Sequence, residues 1–383
     1  MKEKFLGSVN NLDWKCFHSL EEAAPFWRKL MEFGNYRVFQ DFDFTNAWYQ
    51  TIGKQKNVDP RIIVSTCDDK PVILFPLGIY QRLGIRRLAW LGSDWNDYNG
   101  PVVGDQSLLS SGQDIWTKVF ELVGKADILE ISKQAPWYGM HTENAVALQE
   151  SVREDNSTHI LDLHSDYQAL RKSIYSSRTW QGFERKKRKL KKLGELTFQC
   201  ETDPSERKRI VEMMLQIKAE DLAARGKKNP FQNCGAANFL PTIAIDCEEI
   251  SRVYTLRLNG EVLATTFCLV EKNSVLLYQT SYDKNYGFAS PGTLLLHFII
   301  FKAAENGFES FDCLFGDEPY KLKICNRSVP VGRVLVPISK LGVALKYFTI
   351  GKIVLTRKVK HSPSLYLFAR KVNRILSNFG RVR

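Results

Sequence analysis

Residues 316–321 read Gly-Asp-Glu-Pro-Tyr-Lys, which puts two carboxylic acids, a phenol and an amine within five consecutive positions. A carboxylate can take a proton from an attacking amine or hydroxyl, and a phenol can return one to a leaving group. An ammonium holds a phosphate or stabilises a developing oxyanion. The expected order for the proton acceptor is Glu318, then Asp317, then Asp312, which lies just upstream in "FESFDCLF". Tyr320 is the expected acid and Lys321 the expected cation. The plain alternative is a solvated loop with Tyr320 as a packing anchor.

A second polar device precedes this one. Ser290-Pro291-Gly292-Thr293 reads as the start of a helix, with Ser290 as N-cap and Pro291 at the first helical position. Helix starts carry unpaired amides and a partial positive charge, so they suit phosphate. Gly292 has no side chain to keep a ligand off the backbone, and Thr293 adds a hydroxyl. The alternative is a merely well-capped helix.

Both devices belong to a recognisable run of elements. "DYQALRKSIYSSRTWQGFERKKRKLKKLG" predicts one long helix and "ELTFQC" a strand. Asp203 and Pro204 then open a further helix. Strands follow at "ISRVYTLRL", "EVLATTFCLV" and "SVLLYQTSY", the first two joined by the hairpin signal Asn259-Gly260. The helix from Ser290 stops at Gly307, "FESFDCLF" is the next strand, and "VGRVLVPI" the last. The first part of the chain shows the same mixed pattern more faintly. A helix is expected over 44–53, with strands "RIIVSTCD" and "PVILFPLGIYQRL" turning at Asp68-Asp69-Lys70. The strand "IRRLAWLGSD" runs into the polar, aromatic loop "DWNDYNGP", and a helix near 108–124 leads to the strand "ADILEIS".

Charge is unevenly placed. The net charge is +12, and residues 185–192 read RKKRKLKK, seven basic residues in eight. On a helix Arg178, Arg185 and Arg188 form one stripe, expected to face an anionic substrate, while Lys186, Lys187 and Lys191 face water. From Lys352 to the last residue there are nine Lys or Arg and no Asp or Glu. Such a balance implies an anionic partner, or a face kept soluble by its charge. Within this tail, 364–379 reads as an amphipathic helix with Leu365, Phe368, Val372, Ile375, Leu376 and Phe379 on one face, flanked by Arg370, Lys371 and Arg374. That pattern fits an anionic membrane surface, or a helix docked on protein.

Composition closes off other classes. The chain has 383 residues, 44% of them apolar and 25% charged, enough for two globular domains. It has no apolar run of spanning length, and its first residues lack the apolar core of a signal peptide. Eight scattered Cys without a C-x-x-C pair, and six scattered His, predict buried thiols and no metal site. A cytoplasmic protein is expected, with any membrane attachment peripheral and at the inner face.

Three segments carry a resemblance: "SSRTWQGFERKKRKLKKLGELTFQ", "YQTSYDKNYGFASPGTLLLHFIIFKAAENGFESFDCLFGDEPYK" and, more weakly, "WLGSDWNDYNGPVV". Over roughly residues 36–337 the chain resembles tandem Gcn5-related N-acetyltransferases (GNAT) of the CelD/BcsL type from polysaccharide biosynthesis, which are related to the FemABX peptidyltransferases. The resemblance implies a tandem GNAT-like α/β (α+β) fold with mixed sheets flanked by helices. The division expected is 1–160, 161–338 as the catalytic domain, and a basic tail over 339–383. It further implies that the helix start at Ser290, Gly292 and Thr293 receives the pyrophosphate of acetyl-CoA or another acyl-CoA. Tyr278 and Thr280 on the preceding strand then line the pantetheine arm. Lys284 opens a partial match, Lys284-Asn-Tyr-Gly287-Phe-Ala289, to the family's phosphate loop. The Asp312–Lys321 group would then sit where an acceptor attacks a thioester. Arg178 and Arg185, with Asp94 and Tyr98 of the aromatic loop, would hold that acceptor, a sugar or lipid-linked precursor. The alternatives are Fem-like aminoacyl transfer, with tRNA as the one nucleic acid expected, and a non-catalytic accessory protein of polysaccharide export.

Overall fold

Alternating apolar segments joined by tight turns give two similar runs of strands. The computed structural model describes residues 12–104, 112–134, 137–138, 142–143, 148 and 152–362. The first run contains β1 (Asp13–Phe17), α1 (Leu20–Phe33), α2 (Phe42–Trp48), β2 (Asp59–Cys67), β3 (Lys70–Arg82) and β4 (Ile85–Trp90). It continues through β5 (Val102–Val103), α3 (Gly112–Leu122), β6 (Ile128–Ser132), β7 (Trp137–Tyr138), β8 (Thr142–Glu143) and β9 (Val152–Asp162). The second run holds α4 (Tyr167–Ile174), α5 (Ser177–Lys191), β10 (Leu196–Glu201), α6 (Pro204–Ala224), α7 (Cys234–Asp246), β11 (Ser251–Leu258) and β12 (Glu261–Glu271). It ends with β13 (Ser274–Tyr282), α8 (Pro291–Glu305), β14 (Ser310–Phe315), α9 (Lys321–Ile324), β15 (Arg327–Pro337) and α10 (Lys340–His361).

Three hairpins turn on residue pairs with positive φ at both positions: Asp68-Asp69, Leu83-Gly84 and Asn259-Gly260. That is the geometry whose twist matches the flanking strands, and it fixes the registers of β2–β3, β3–β4 and β11–β12. Each half therefore builds an antiparallel run, β1-β2-β3-β4 and β10-β11-β12-β13. Each run then meets a parallel neighbour after a crossover, β4 with β6 and β13 with β14.

The closing strands are exchanged. β9, from the first half, pairs with β14 of the second, while β15 returns to pair with β6 of the first. β9 and β15 pair with each other at the centre, so one mixed sheet of 13 strands runs through both halves. Helices cover it, and one apolar core joins Phe44 and Trp48 of the first half to Phe239 and Phe267 of the second.

Several expectations change. The single helix over 166–194 is two helices, because Tyr175 is extended and Ser176 starts a new N-cap by accepting from the Thr179 amide. Helix α1, capped by Ser19, and helix α7 were not expected; each has an internal Pro, Pro25 and Pro241, that obscures its period. The first part of the basic tail expected over 339–383 is helical: α10 runs to His361, and its start is pinned where Ser339 donates to Asp127 Oδ1 at 3.0 Å. The amphipathic segment at 364–379 lies outside the described residues. No helix among the described residues is long and apolar enough to cross a membrane.

One buried ion cluster ties the halves together. Arg37, 2% exposed, lies before α2 and pairs with Glu271 at 2.8 Å and Asp312 at 3.2 Å. Its guanidinium stacks 3.9 Å above the Tyr98 ring, and the Tyr98 hydroxyl donates to Asp312 at 2.8 Å. Glu271 also accepts from the Val38 amide at 3.0 Å, and Asp312 from the Leu314 amide at 2.8 Å. Removing the cation would leave one fully and one largely buried carboxylate short of a partner. Arg37→Met should therefore destabilise the whole chain by about 3–5 kcal/mol in chemical denaturation. A loss below about 1 kcal/mol would mean that the cluster does not hold the halves together.

Candidate active site

A cleft opens where β13 and β14 part. They pair at Ser274/Ser310, Val275/Phe311 and Leu276/Asp312, and no further. Beyond that point Leu277, Tyr278, Gln279 and Thr280 form one wall, and Cys313, Leu314 and Phe315 the other. Both walls are irregular. Tyr278 has no partner on β12, because the register shifts by one residue between Phe267 and Cys268. Leu314 stands at φ +61°, in a bulge opposite β9. A bulky residue there is strained, and the strain sits at the mouth of the cleft. The corresponding gap in the first half, between β4 and β6, is filled by its own loop. Asn99 donates to the Ser132 carbonyl at 2.9 Å, and its amide to that of Lys133 at 2.9 Å.

The loop after β14 closes the floor of the cleft. Lys321 is 5% exposed and donates to the Phe315 carbonyl and to Glu318, both at 2.9 Å. Gly316 takes φ +120°, and a Cβ there would lie 2.8 Å from the Glu318 carboxylate. Asp317 points away, accepting from the Ser157 amide at 3.0 Å and lying 2.8 Å from the His159 ring. Burial raises its pKa, but the Ser157 amide and His159 outweigh this and hold the carboxyl below its usual range. Burial pushes the Tyr320 phenol well above its ordinary pKa, so it stays protonated and able to donate. The pocket, about 190 Å³, is thus bordered by Glu318, Tyr320 and Lys321, with Asp97 from the first half and Lys218 from α6.

The helix start lies beside the far end of β13, where a Cβ on Gly292 would sit 3.4 Å from Tyr282. Ser290 occupies the N-cap position but in the left-handed region, and its hydroxyl makes no capping bond. It accepts instead from Lys186 at 2.8 Å. The Gly292 and Thr293 amides have no acceptor within the helix, and Lys186 adds a cation to them. This constellation suits a pyrophosphate. Lys186 was expected to face water, yet it reaches Ser290; Arg178 and Arg185 are the exposed ones. Lys284 does not reach the helix start, because it is paired with Asp221 at 2.7 Å.

Other expected residues are placed differently. Asp312 is 1% exposed and belongs to the Arg37 cluster, not to the cleft wall. Burial raises its pKa, with Arg37 opposing. Tyr98 is fully buried in the same cluster and is out of reach of an acceptor. Asp94 is exposed and lies 3.7 Å from Lys56. Within their loop, Trp95 packs on Phe231 and Phe239, and its carbonyl accepts from Tyr278 at 2.7 Å. Thr280 and Tyr278 both line the cleft.

Lys218 was missed. On α6 the buried Val211 and Met214 lie seven and four residues before it, so Lys218 falls on the core-facing stripe. A lysine in an apolar phase was the available signal. It donates to Gln279 of β13, and burial draws its pKa down to about 8.

The arrangement is a tandem GNAT-like fold: an antiparallel run followed by a parallel pair in each half, with the open cleft beside a helix start in the second. Residues 177–322 match the family model described as an acetyltransferase (GNAT) domain. The structure is similar to that of FemX, with a TM-score of 0.59 and 12% identity over 86% of this chain and 99% of that one. It is also similar to a conserved protein of unknown function from Bacteroides thetaiotaomicron, with a TM-score of 0.51 and 12% identity over 85% of this chain and 99% of that one. No curated protein sequence matches significantly.

Gly316 offers a test of the floor. Gly316→Ala both strains the backbone and pushes Glu318 off Lys321. It should cost about 1–3 kcal/mol of stability, read by denaturant unfolding. An unchanged midpoint would show that the loop does not need this conformation.

Proposed function

We propose that the second half binds an acyl-CoA, taken here as acetyl-CoA, and transfers its acyl group to an amine or hydroxyl. The acceptor is proposed to be a sugar or cell-envelope polysaccharide precursor. The parting of β13 and β14 beside an open helix start carries this reading. It makes a slot for an extended arm ending at a phosphate site, with acid–base groups at the slot's inner end. Ser290, Gly292 and Thr293, helped by Lys186, would hold the pyrophosphate. Residues 277–280 would border the arm. The bulge at Tyr278 would leave a backbone amide outside the ladder, available to a thioester oxygen. Tyr320 would protonate the departing thiolate, and Glu318, held by Lys321, would orient the acceptor. Arg178 and Arg185 remain proposed contacts for an anionic acceptor at the cleft rim. The division at 160/161 and 338/339 is kept as a proposal, with the strand exchange joining the first two parts.

Acetyl-CoA should raise the thermal midpoint, since a ligand bound only by the native state stabilises it. Gly292→Val should fold, because the site has room for a Cβ at ordinary contact distance, and should lose that stabilisation. Equal stabilisation of both proteins would remove the helix start as the phosphate site. Stabilisation by aminoacyl-tRNA and not by acetyl-CoA would replace acyl-CoA with the Fem-like donor. Stabilisation by neither would favour the accessory role.

Work at a membrane is a separate part of the proposal. On α10, Tyr347, Phe348 and Leu355 are more than 60% exposed, beside Lys346, Lys352, Arg357 and Lys358. The full chain should co-sediment with anionic vesicles, be released by salt, and bind neutral vesicles poorly. Equal binding to both kinds of vesicle would sink the idea.

A further inference from the structure

Each carboxylate expected to act as base already has a partner. Asp312 faces Arg37, Asp317 faces His159 and the Ser157 amide, and Glu318 faces Lys321. Lys218 is different. Its side chain is half-buried on α6 and reaches the cleft, where its amine donates to Gln279 on the donor-side strand. The cleft's second amine, Lys321, is tied to two carbonyls and to Glu318.

We propose that Lys218 is the proton acceptor of the transfer step. The proposal rests on the acyl-CoA reading. The acceptor nitrogen or oxygen attacks the thioester carbon, and its new bond to carbon forms as the carbon–sulfur bond breaks. The acceptor's proton passes to Lys218 Nζ, and the leaving thiolate takes the Tyr320 proton. Lys218 then releases its proton to solvent, and Tyr320 recovers one from solvent, so the products are the acylated acceptor and free thiol.

The surroundings set the pH at which this works. Burial disfavours the ammonium most, Glu318 and Asp221 favour it, and Lys321 disfavours it, giving about 8. Asp221 is itself shared with Lys284 and Arg225. Among the other titratable groups in the wall, Tyr278 and Tyr320 are raised by burial and Cys313 by its hydrogen bond with Cys325 and by burial, so all three stay neutral there. Asp97 from the first half is held by Lys133 at 2.8 Å. The active form is the unprotonated amine, so turnover should rise with pH through about 8 and then level. Removing Glu318's charge should move that midpoint down, because it takes away a stabiliser of the ammonium.

The full chain can be labelled briefly with deuterated acetic anhydride over a range of pH, with Lys218 read by peptide mass spectrometry. Its reactivity should have a midpoint near 8, against about 10.4 for an ordinary lysine. Glu318→Gln should lower the midpoint, and acetyl-CoA should protect Lys218. Lys218→Arg keeps the charge but has no removable proton. It should keep the acetyl-CoA thermal shift and release coenzyme A about 10²–10⁴-fold more slowly with glucosamine as the acceptor. A labelling midpoint above 10 overturns the proposal whatever the donor is. A thermal shift with acetyl-CoA but no protection, or full turnover in Lys218→Arg, overturns the role of Lys218 and leaves the donor reading standing. No thermal shift overturns the donor reading, and with it this step.

Discussion

A guanidinium taken out of water must recover both its opposite charge and its hydrogen-bond acceptors, or the fold will not tolerate it. Arg37 recovers them across the boundary between the two halves: its residue comes from the first, and both its carboxylates from the second. Each carboxylate in turn accepts a backbone amide, Val38 on one side and Leu314 on the other. The cluster therefore fixes more than the relation of the halves. Asp312 is the last residue at which β13 and β14 pair, and Leu314 is the strained residue just beyond it. The point where the cleft opens is held by a charge network that never touches the cleft.

The exchanged strands work in the same direction. β9 braces β14 and β15 braces β6, so the wall of the open cleft is backed by a strand from the opposite half. One gap is filled by its own loop and the other is left open. The loop that fills the first, through Trp95 and Asp97, also reaches the second. The first half thus acts as a scaffold for a cleft that the second half lines.

Much of this was legible in the residue order. Asn259-Gly260 and Asp68-Asp69 named their hairpins, Asp203-Pro204 and Ser290-Pro291 their helix starts, and Gly307 a helix end, because these signals are local and steric. The polar group after β14 was recognised, and Glu318, Tyr320 and Lys321 do border one pocket. What failed was long-range. No local pattern says that Asp312 and Tyr98, 214 positions apart, share a hydrogen bond. β9 begins with polar residues and showed no strand period; its pairing comes from neighbours on both sides. Lys186 and Arg185 are adjacent, and only the packing of α5 against the start of α8 decides which reaches inward.

The strand exchange also bears on synthesis. As the chain leaves the ribosome, β6 has no permanent neighbour on its outer side until β15 is made, about 200 residues later. For that interval the first half offers an open, apolar sheet edge, the kind of edge that pairs with the wrong chain when left waiting. Contacts so far apart in sequence also make for slow closure. Maturation of this protein should therefore depend on a holding chaperone more than its size alone would suggest, and a ribosome stalled before residue 327 would leave a nascent chain that cannot finish either half.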